Sequence, residues 1–224
     1  YPTIANTYID WTYSYYVDCF NPEFSRDIEP MAGGFGDNYY YQMVANIRRF
    51  KGATQRQKLS APKTIIMDGS TEQWADVSPR YVCDKGTTVH RDHDGFAGTH
   101  YQNCTGRNDI VASKVTSDSK NLYFYVKTAD PITKYDTESS WMQLFIDADQ
   151  NVKTGWYGYD FIINYKAEGD FTTTVAKYNG TDGKFGFESV GEVSYRVKDN
   201  EMMIAVPLEM LGIEGYKEID IEFK

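Results

Sequence analysis

The acidic segment that follows Ile146 carries the residue types best suited to bind a metal ion. Asp147, Asp149 and Asn151 alternate along the chain and would place three side-chain oxygens on one side of a turn. Calcium prefers such hard oxygen ligands, so the spacing predicts a calcium site. The segment is not an EF-hand, because Val152 and Gly158 occupy the sixth and twelfth positions. The alternative is an Asx-type turn, whose side chains accept hydrogen bonds from their own backbone.

Stacking on a sugar ring is the second chemistry that the sequence supports. A Trp or Tyr ring can cover the C–H face of a sugar, while acid and amide side chains bind the hydroxyl groups. Alternation in the strand that starts at Trp141 turns Leu144 and Ile146 towards the core, so we expect Trp141 to lie outside it. Trp156 and Tyr157 lie in a loop beside the acidic oxygens. All three rings are predicted ligand contacts, and plain packing is the alternative.

Hydrolysis is a further chemistry for which the residue types are present. Glycoside hydrolysis needs two carboxyl groups about 5–9.5 Å apart across a cleft. Candidate pairs can be drawn from Glu23, Asp27 and Glu29 in the first segment and from Asp147 and Asp160 in the second. A chain with 32 acidic residues offers such pairs by chance. We therefore predict no catalytic residues in this chain.

The three histidines and two of the three cysteines lie close together in the sequence. His90, His93 and His100 fall between Cys83 and Cys104, but no spacing among them matches a known zinc pattern. Histidines that form hydrogen bonds in a structured loop are the preferred interpretation. A Cys83–Cys104 disulfide would suit an exported protein, and the alternative is that all the cysteines remain reduced.

The composition excludes several classes of function. A net charge of -9 argues against binding to a phosphate backbone, which requires clustered Lys and Arg. No apolar run approaches the roughly 18 residues of a membrane-spanning helix. Aromatic residues make up 16% of the chain, enough for a real core. The net negative charge instead favours a neutral or cationic ligand.

From Lys63 onward the hydrophobic pattern has a period of two. Short alternating runs separated by Asn-Gly and Asp-Gly turns indicate an antiparallel β-sandwich, jelly-roll-like in architecture. Trp74, near the first strand, is expected to anchor the core. The predicted strands are 64–68, 109–116, 121–127, 141–147, 158–165, 171–178, 192–197, 202–206 and 218–223. Residues 83–107 are polar and without periodicity, so we predict a long loop there.

The first 60 residues differ from the rest. Met43, Val44 and Ile47 recur at helical spacing after Asp37, a suitable N-cap, and Gly52 is placed to end the helix. We interpret residues 1–60 as the helical tail of a preceding domain or as a strap packed on the next one. Residues 53–62 are predicted to form a linker, and residues 63–224 the β-sandwich domain.

Several motifs resemble those of the family 9 carbohydrate-binding modules and their DOMON-like relatives. They are Asp68-Gly, Trp74, Gly106-Arg-Asn-Asp-Ile, Asn121-Leu-Tyr-Phe-Tyr-Val, Leu144-Phe-Ile-Asp-Ala-Asp, Thr154-Gly-Trp-Tyr-Gly-Tyr-Asp-Phe and Val206-Pro-Leu-Glu-Met-Leu-Gly. The resemblance covers about 160 residues and implies a β-sandwich, sugar binding by aromatic clamping and often a structural calcium. Arg107 and Asn108 of the Gly-Arg-Asn-Asp motif join the predicted ligand contacts. Residues 1–52 resemble the closing segment of a glycoside-hydrolase-like domain.

The sequence therefore predicts a non-catalytic module that binds a polysaccharide or oligosaccharide. We expect it to be a monomer and part of a larger secreted, periplasmic or cell-surface protein. Two alternatives stay open: a glycoside hydrolase fragment with its own active site, and a DOMON-like domain that binds haem through Met or His ligands.

Overall fold

The computed structural model describes residues 38–52, 57–86, 91–94, 100–135, 140–167, 169–181, 184–214 and 219–223. The chain divides into two compact units, Tyr1–Arg56 and Gln57–Lys224. Asp37 and the acidic residues Glu23, Asp27 and Glu29 lie outside the described residues. None of the described helices is long and apolar enough to span a membrane.

In the first unit, the described residues form the predicted helix, α1 (Asn38–Lys51). Three basic side chains in its last turn complement the helix dipole, and Gly52 follows in the left-handed conformation with φ 82°. Ile47 and Phe50 are exposed, whereas Met43 and Val44 are half-buried. Among the described side chains of the stripe, exposure therefore increases towards the end of the helix.

The second unit is mainly β, as predicted. Its strands are β1 (Arg80–Val82), β2 (Arg91–Asp94), β3 (His100–Asn103), β4 (Ile110–Ser117), β5 (Asn121–Thr128), β6 (Leu144–Asp147), β7 (Phe161–Ile163), β8 (Thr172–Tyr178), β9 (Phe187–Lys198), β10 (Glu201–Pro207) and β11 (Asp220–Phe223). Nine of them form one antiparallel sheet in the order β1-β4-β5-β10-β9-β8-β7-β6-β11. β2 and β3 pair separately.

Two local predictions are wrong. Residues 64–68 form no strand and instead lead into a 3₁₀ turn at Thr71–Trp74. The stretch 83–107 is not one irregular loop, because β2 and β3 form a hairpin inside it. Both strands of the hairpin are polar, so the sequence lacks the hydrophobic alternation by which a strand is usually predicted.

The sheet curls around a single inner cluster. Side chains alternate along β10, so Met202, Ile204 and Val206 point inwards and Met203 points outwards. Asn164 Nδ2, just after β7, lies 3.8 Å from Met202 Sδ. β7 and β10 are three strand spacings apart in the sheet, about 14 Å if the sheet were flat, so the side-chain contact requires curvature.

The outer face of β5 and β10 is covered by residues 57–77, which we call the covering segment. Ile65, Trp74 and Val77 pack on Tyr123 and Tyr125. Trp74 is 1% exposed, which confirms that it anchors a core, and its ring lies 5.4 Å from that of Tyr125. The covering segment includes the second half of the predicted linker.

Hydrogen bonds attach both ends of the covering segment to the sheet. Gln57 exchanges two side-chain hydrogen bonds with the backbone of Arg80, at 2.8 and 2.9 Å. The Thr64 hydroxyl donates to Asp118 at 2.8 Å, and the Thr71 hydroxyl donates to Glu201 at 2.6 Å. Residues 57–62 are therefore part of the sheet unit rather than a free linker.

Removal of the Trp74 ring should destabilise the whole sheet unit. We expect Trp74→Ala to lower the free energy of unfolding by roughly 3–5 kcal/mol, since a large buried ring leaves a cavity. Urea unfolding followed by circular dichroism measures the change. Tyr81→Ala, at an exposed ring on the edge strand β1, is the control and should cost far less. Equal stabilities of the two variants would contradict the packing described.

Acid should loosen the covering segment through Asp118. Burial alone would raise the pKa of this carboxyl, but hydrogen bonds from Tyr123, the Lys120 and Asn121 backbone and Thr64 outweigh it and lower the pKa to about 2. The unfolded chain therefore takes up the proton first, and this stabilisation is present above pH about 4 and lost as the pH falls towards about 2. Asp118→Asn should flatten the pH dependence of unfolding in that window. Asp130→Asn, at an exposed site, should leave it unchanged.

Candidate functional site

The loop formed by residues 148–160 joins two buried strands of the sheet and holds four of the eight predicted site residues, and a fifth, Asp147, directly precedes it. Its first half is an Asx-type turn, the alternative that the sequence left open. Asp147 Oδ1 accepts hydrogen bonds from the N–H groups of Asp149 and Gln150, at 3.1 and 2.6 Å. Asp149 Oδ1 accepts one from the N–H of Asn151 at 2.9 Å. These hydrogen bonds hold the two carboxylates in place within the loop.

The second half of the loop is a tight reversal. The N–H of Trp156 donates to the Tyr159 carbonyl at 2.8 Å, and the N–H of Tyr159 donates back at 3.1 Å. Gly155 is required here, because it has φ 66° and a Cβ atom would lie 2.4 Å from the Tyr159 carbonyl oxygen. The reversal brings Asp160 back beside the first half, where its Oδ2 accepts from the N–H of Ala148 at 2.9 Å.

Asp147, Asp149 and Asp160 form an acidic triad whose ligand oxygens lie within 4.8 Å of one another. Burial raises the pKa of Asp160, and the charges of Asp149 and Asp147 raise it further. None of the ion pairs formed among the described residues includes a member of the triad. Three hard carboxylate oxygens that form no ion pair with another described residue fit a divalent cation such as calcium.

The triad differs from the predicted ligand set by one residue. The sequence places Asp160 among the possible hydrolytic carboxylates but not among the calcium ligands, because it lies 11 positions beyond Asp149 and only the chain reversal brings it back. Asn151 Oδ1 instead accepts a hydrogen bond from the N–H of Lys153 at 3.2 Å.

Trp141 lies inside the inner cluster. It is 5% exposed, its Nε1 donates to the Thr133 carbonyl at 2.9 Å, and its ring makes edge contacts with Tyr135 and Tyr195. The expectation that Trp141 lies outside the core is therefore wrong. Alternation failed because residues 141–148 are all buried, so this strand has no solvent-facing side.

Arg107 and Asn108 lie near Trp141 rather than near Trp156. Asn108 uses its amide within the protein: Oδ1 accepts from the N–H of Thr133 at 2.9 Å, and Nδ2 donates to the Thr133 hydroxyl at 3.1 Å. The exposed Arg107 guanidinium donates to the Ser140 carbonyl at 3.5 Å. These contacts brace the chain that leads to Trp141.

Trp156 and Tyr157 belong to an aromatic cluster on the outer face. Trp156 is half-buried against Phe145, with ring centroids 5.9 Å apart. Tyr157 and Phe185 contact Trp156 at 5.3 and 5.1 Å and are 75% and 55% exposed. We call Trp156, Tyr157 and Phe185 the aromatic platform. Phe185 was missed because it lies on the β8–β9 loop, where the sequence shows no sugar-binding pattern.

The histidine and cysteine stretch shows no shared metal centre among its described residues. His100 Nε2 lies 2.7 Å from Asp92 and Nδ1 lies 3.0 Å from Asp94, so the two carboxylates meet opposite nitrogens of one ring. Hydrogen bonds to Asp94 and then to Asp92 raise the pKa of His100. Cys83 and Cys104 are exposed and unbridged.

Comparison with known proteins identifies no relative: no family model, curated protein or solved structure matches the chain. The site must therefore be interpreted from its own geometry.

Calcium should stabilise the protein through the triad. An ion that binds only the folded state would add about 2.7 kcal/mol at a concentration about 100 times its Kd. Asp149→Asn retains the oxygen that accepts from Asn151 but removes a charge, so it should keep the turn and lose the calcium-dependent rise in melting temperature. Asp199→Asn removes a charge in another turn and is the control. If neither millimolar calcium nor a chelator changes the melting temperature, the triad does not bind calcium and its carboxylates serve only the Asx turn.

Proposed function

We propose that the sheet unit is a non-catalytic module that binds a polysaccharide or oligosaccharide on the aromatic platform. The observation that carries the proposal is the contiguity of the two exposed rings, Tyr157 and Phe185, with the half-buried Trp156 between them. Isolated exposed rings are common on protein surfaces, whereas contiguous apolar patches tend to mark binding sites.

The support around the platform suits stacking on a flat ligand. Trp156 is held by Phe145 beneath it and by the backbone bridge to Tyr159. The Tyr159 hydroxyl donates to Glu222 at 2.6 Å, and this bond, followed by burial, raises the pKa of Tyr159 to about 12. Trp156 and Tyr157 are therefore presented by a loop that is fixed by its own contacts, so their rings would lose little conformational freedom on binding.

A calcium ion on the triad would have a structural role in this proposal. Asp147 and Asp160 bracket the loop that carries Trp156 and Tyr157. A cation shared by the triad would tie the two ends of that loop together and stiffen the platform. The glycan itself would still be bound by ring stacking and by hydrogen bonds to its hydroxyl groups.

We also propose the sandwich architecture, the monomeric state and the cellular location that the sequence predicts. The curled sheet is consistent with a sandwich whose two layers are continuous, because β5 and β6 contribute to the same inner cluster from separate parts of the sheet. With the motif resemblance to family 9 carbohydrate-binding modules, this supports a monomeric module of a secreted, periplasmic or cell-surface protein that degrades polysaccharides.

The platform rings should account for most of the binding energy. A glycan array identifies a ligand, and calorimetry then measures its affinity. We expect Tyr157→Ala and Phe185→Ala each to weaken binding by about 1–3 kcal/mol, the range for stacking on flat ligands, without unfolding the protein. Trp156→Ala should weaken binding and also reduce stability, because its ring is half-buried.

Phe171→Ala is the matched control for these variants. Phe171 is an exposed ring whose contact is a cation–π interaction with Arg196, so its loss should leave glycan affinity unchanged. Binding should also survive high salt, because ring stacking depends little on charge. Unchanged affinity in both platform variants would overturn the proposed site, and release of reducing ends by the wild type would favour the hydrolase alternative.

A further inference from the structure

An open pocket of about 310 Å³ lies on the outer face of the sheet, beside the covering segment. The volume is at the lower end of the range for small-molecule sites, roughly 300–1,000 Å³. The residues that line it come from the covering segment and from β5, β9 and β10: Ile65, Met67, Asn121, Tyr123, Glu192, Val193, Ser194, Ala205 and Pro207. It contains none of the platform residues.

Strand register explains why the sheet is recessed here. Ala205 on β10 pairs with Tyr123 on one side and with Ser194 on the other. Ala and Ser are short, so the floor between the strands is low, while Ile65 and Met67 of the covering segment stand beside it. The pocket is a consequence of two small residues at adjacent positions of the outer face.

The polar groups of the pocket are mainly acceptors. The exposed Glu192 carboxylate forms no hydrogen bond or ion pair with any described residue. Asn121 Nδ2 donates to the Tyr123 hydroxyl at 3.3 Å, and that hydroxyl donates to Asp118 at 2.7 Å. No Lys, Arg or His is among the described residues that line the pocket. A ligand that supplies donors and positive charge is therefore favoured over an anion.

We propose that this pocket binds an amino-sugar unit that carries a free ammonium group. The ammonium would pair with Glu192, the ring C–H groups would contact the half-buried Met67, and Ser194 and Asn121 would bind hydroxyls. This inference rests on the proposed glycan-binding function and specifies its ligand: a glycan with unacetylated amino sugars.

Continuity with the platform supports a glycan rather than an isolated small amine. Phe187 belongs to the outer aromatic cluster and contacts Phe185 at 5.2 Å. Glu192 lies further along the same strand, beyond a β-bulge that keeps both side chains on the outer face. Their partners on β8, Tyr178 and Thr174, are four residues apart, which is about 14 Å at the usual rise per residue. A short oligosaccharide that runs along β9 would reach from the platform to the pocket.

The test compares two tetrasaccharides of the same backbone, one of glucosamine and one of N-acetylglucosamine. Calorimetry at about pH 6 keeps the primary amines protonated. We expect the wild type to bind the glucosamine tetramer about fivefold more tightly at low salt, the effect of one exposed ion pair, and to lose that preference at high salt.

Two variants separate the pocket from the platform. Glu192→Gln preserves shape and should abolish the preference while retaining affinity for the acetylated tetramer. Glu188→Gln, on the same strand but outside the pocket, should retain the preference. Tyr157→Ala should weaken binding of both tetramers by the same factor.

The outcomes distinguish this inference from the function on which it rests. Equal wild-type affinities for the two tetramers, or a preference that survives Glu192→Gln, would overturn the amino-sugar pocket and leave the platform intact. Binding of the glucosamine tetramer that depends on Glu192 but not on Tyr157 would support the pocket and overturn the platform. Failure of both tetramers to bind would overturn the inference.

Discussion

Strands β5, β6 and β10 carry buried apolar side chains on both faces of the sheet, and other parts of the second unit keep those faces from water. Along β6 every side chain is buried, and along β5 and β10 successive side chains enter different clusters. Covering only one face would leave Tyr123, Tyr125 and Met203 in solvent, at a cost of about 25 cal/mol per Å² of apolar surface. The sheet therefore curls over its inner face, and two separate groups of residues cover the outer one.

The packing of the covering segment on the sheet depends on polar groups that are buried or half-buried. Lys114 is buried on the outer face, where its ammonium donates to the Trp74 carbonyl at 2.5 Å. Burial lowers the pKa of Lys114, and the charge of Arg80 lowers it further. Burial would raise the pKa of Glu201, but hydrogen bonds from Thr71 and Tyr125 and the charge of Lys127 outweigh it and lower the pKa. These interactions satisfy the polar groups from which the covering segment excludes water.

The candidate binding features lie where this covering is incomplete. The aromatic platform is the solvent edge of the outer aromatic cluster, whose buried members pack on β6 to β9. The pocket opens between the covering segment and β9. The acidic triad stands at the end of β6, where a buried strand turns into an exposed loop. The platform and the pocket therefore both lie at the margins of the outer-face cover.

Much of the secondary structure of this protein can be predicted from the sequence alone. Helix α1, most strands of the sheet and the Asp147 turn follow from spacing, caps and turn residues, because these depend on neighbours within a few positions. Tertiary structure decided which face of each strand meets solvent, and so moved Trp141 into the core and Asp160 into the triad. It also brought Phe185 into the platform and residues 57–62 into the sheet unit. Those outcomes depend on contacts between residues far apart in the chain, and a period-two pattern cannot distinguish a half-buried strand from one that is covered on both faces.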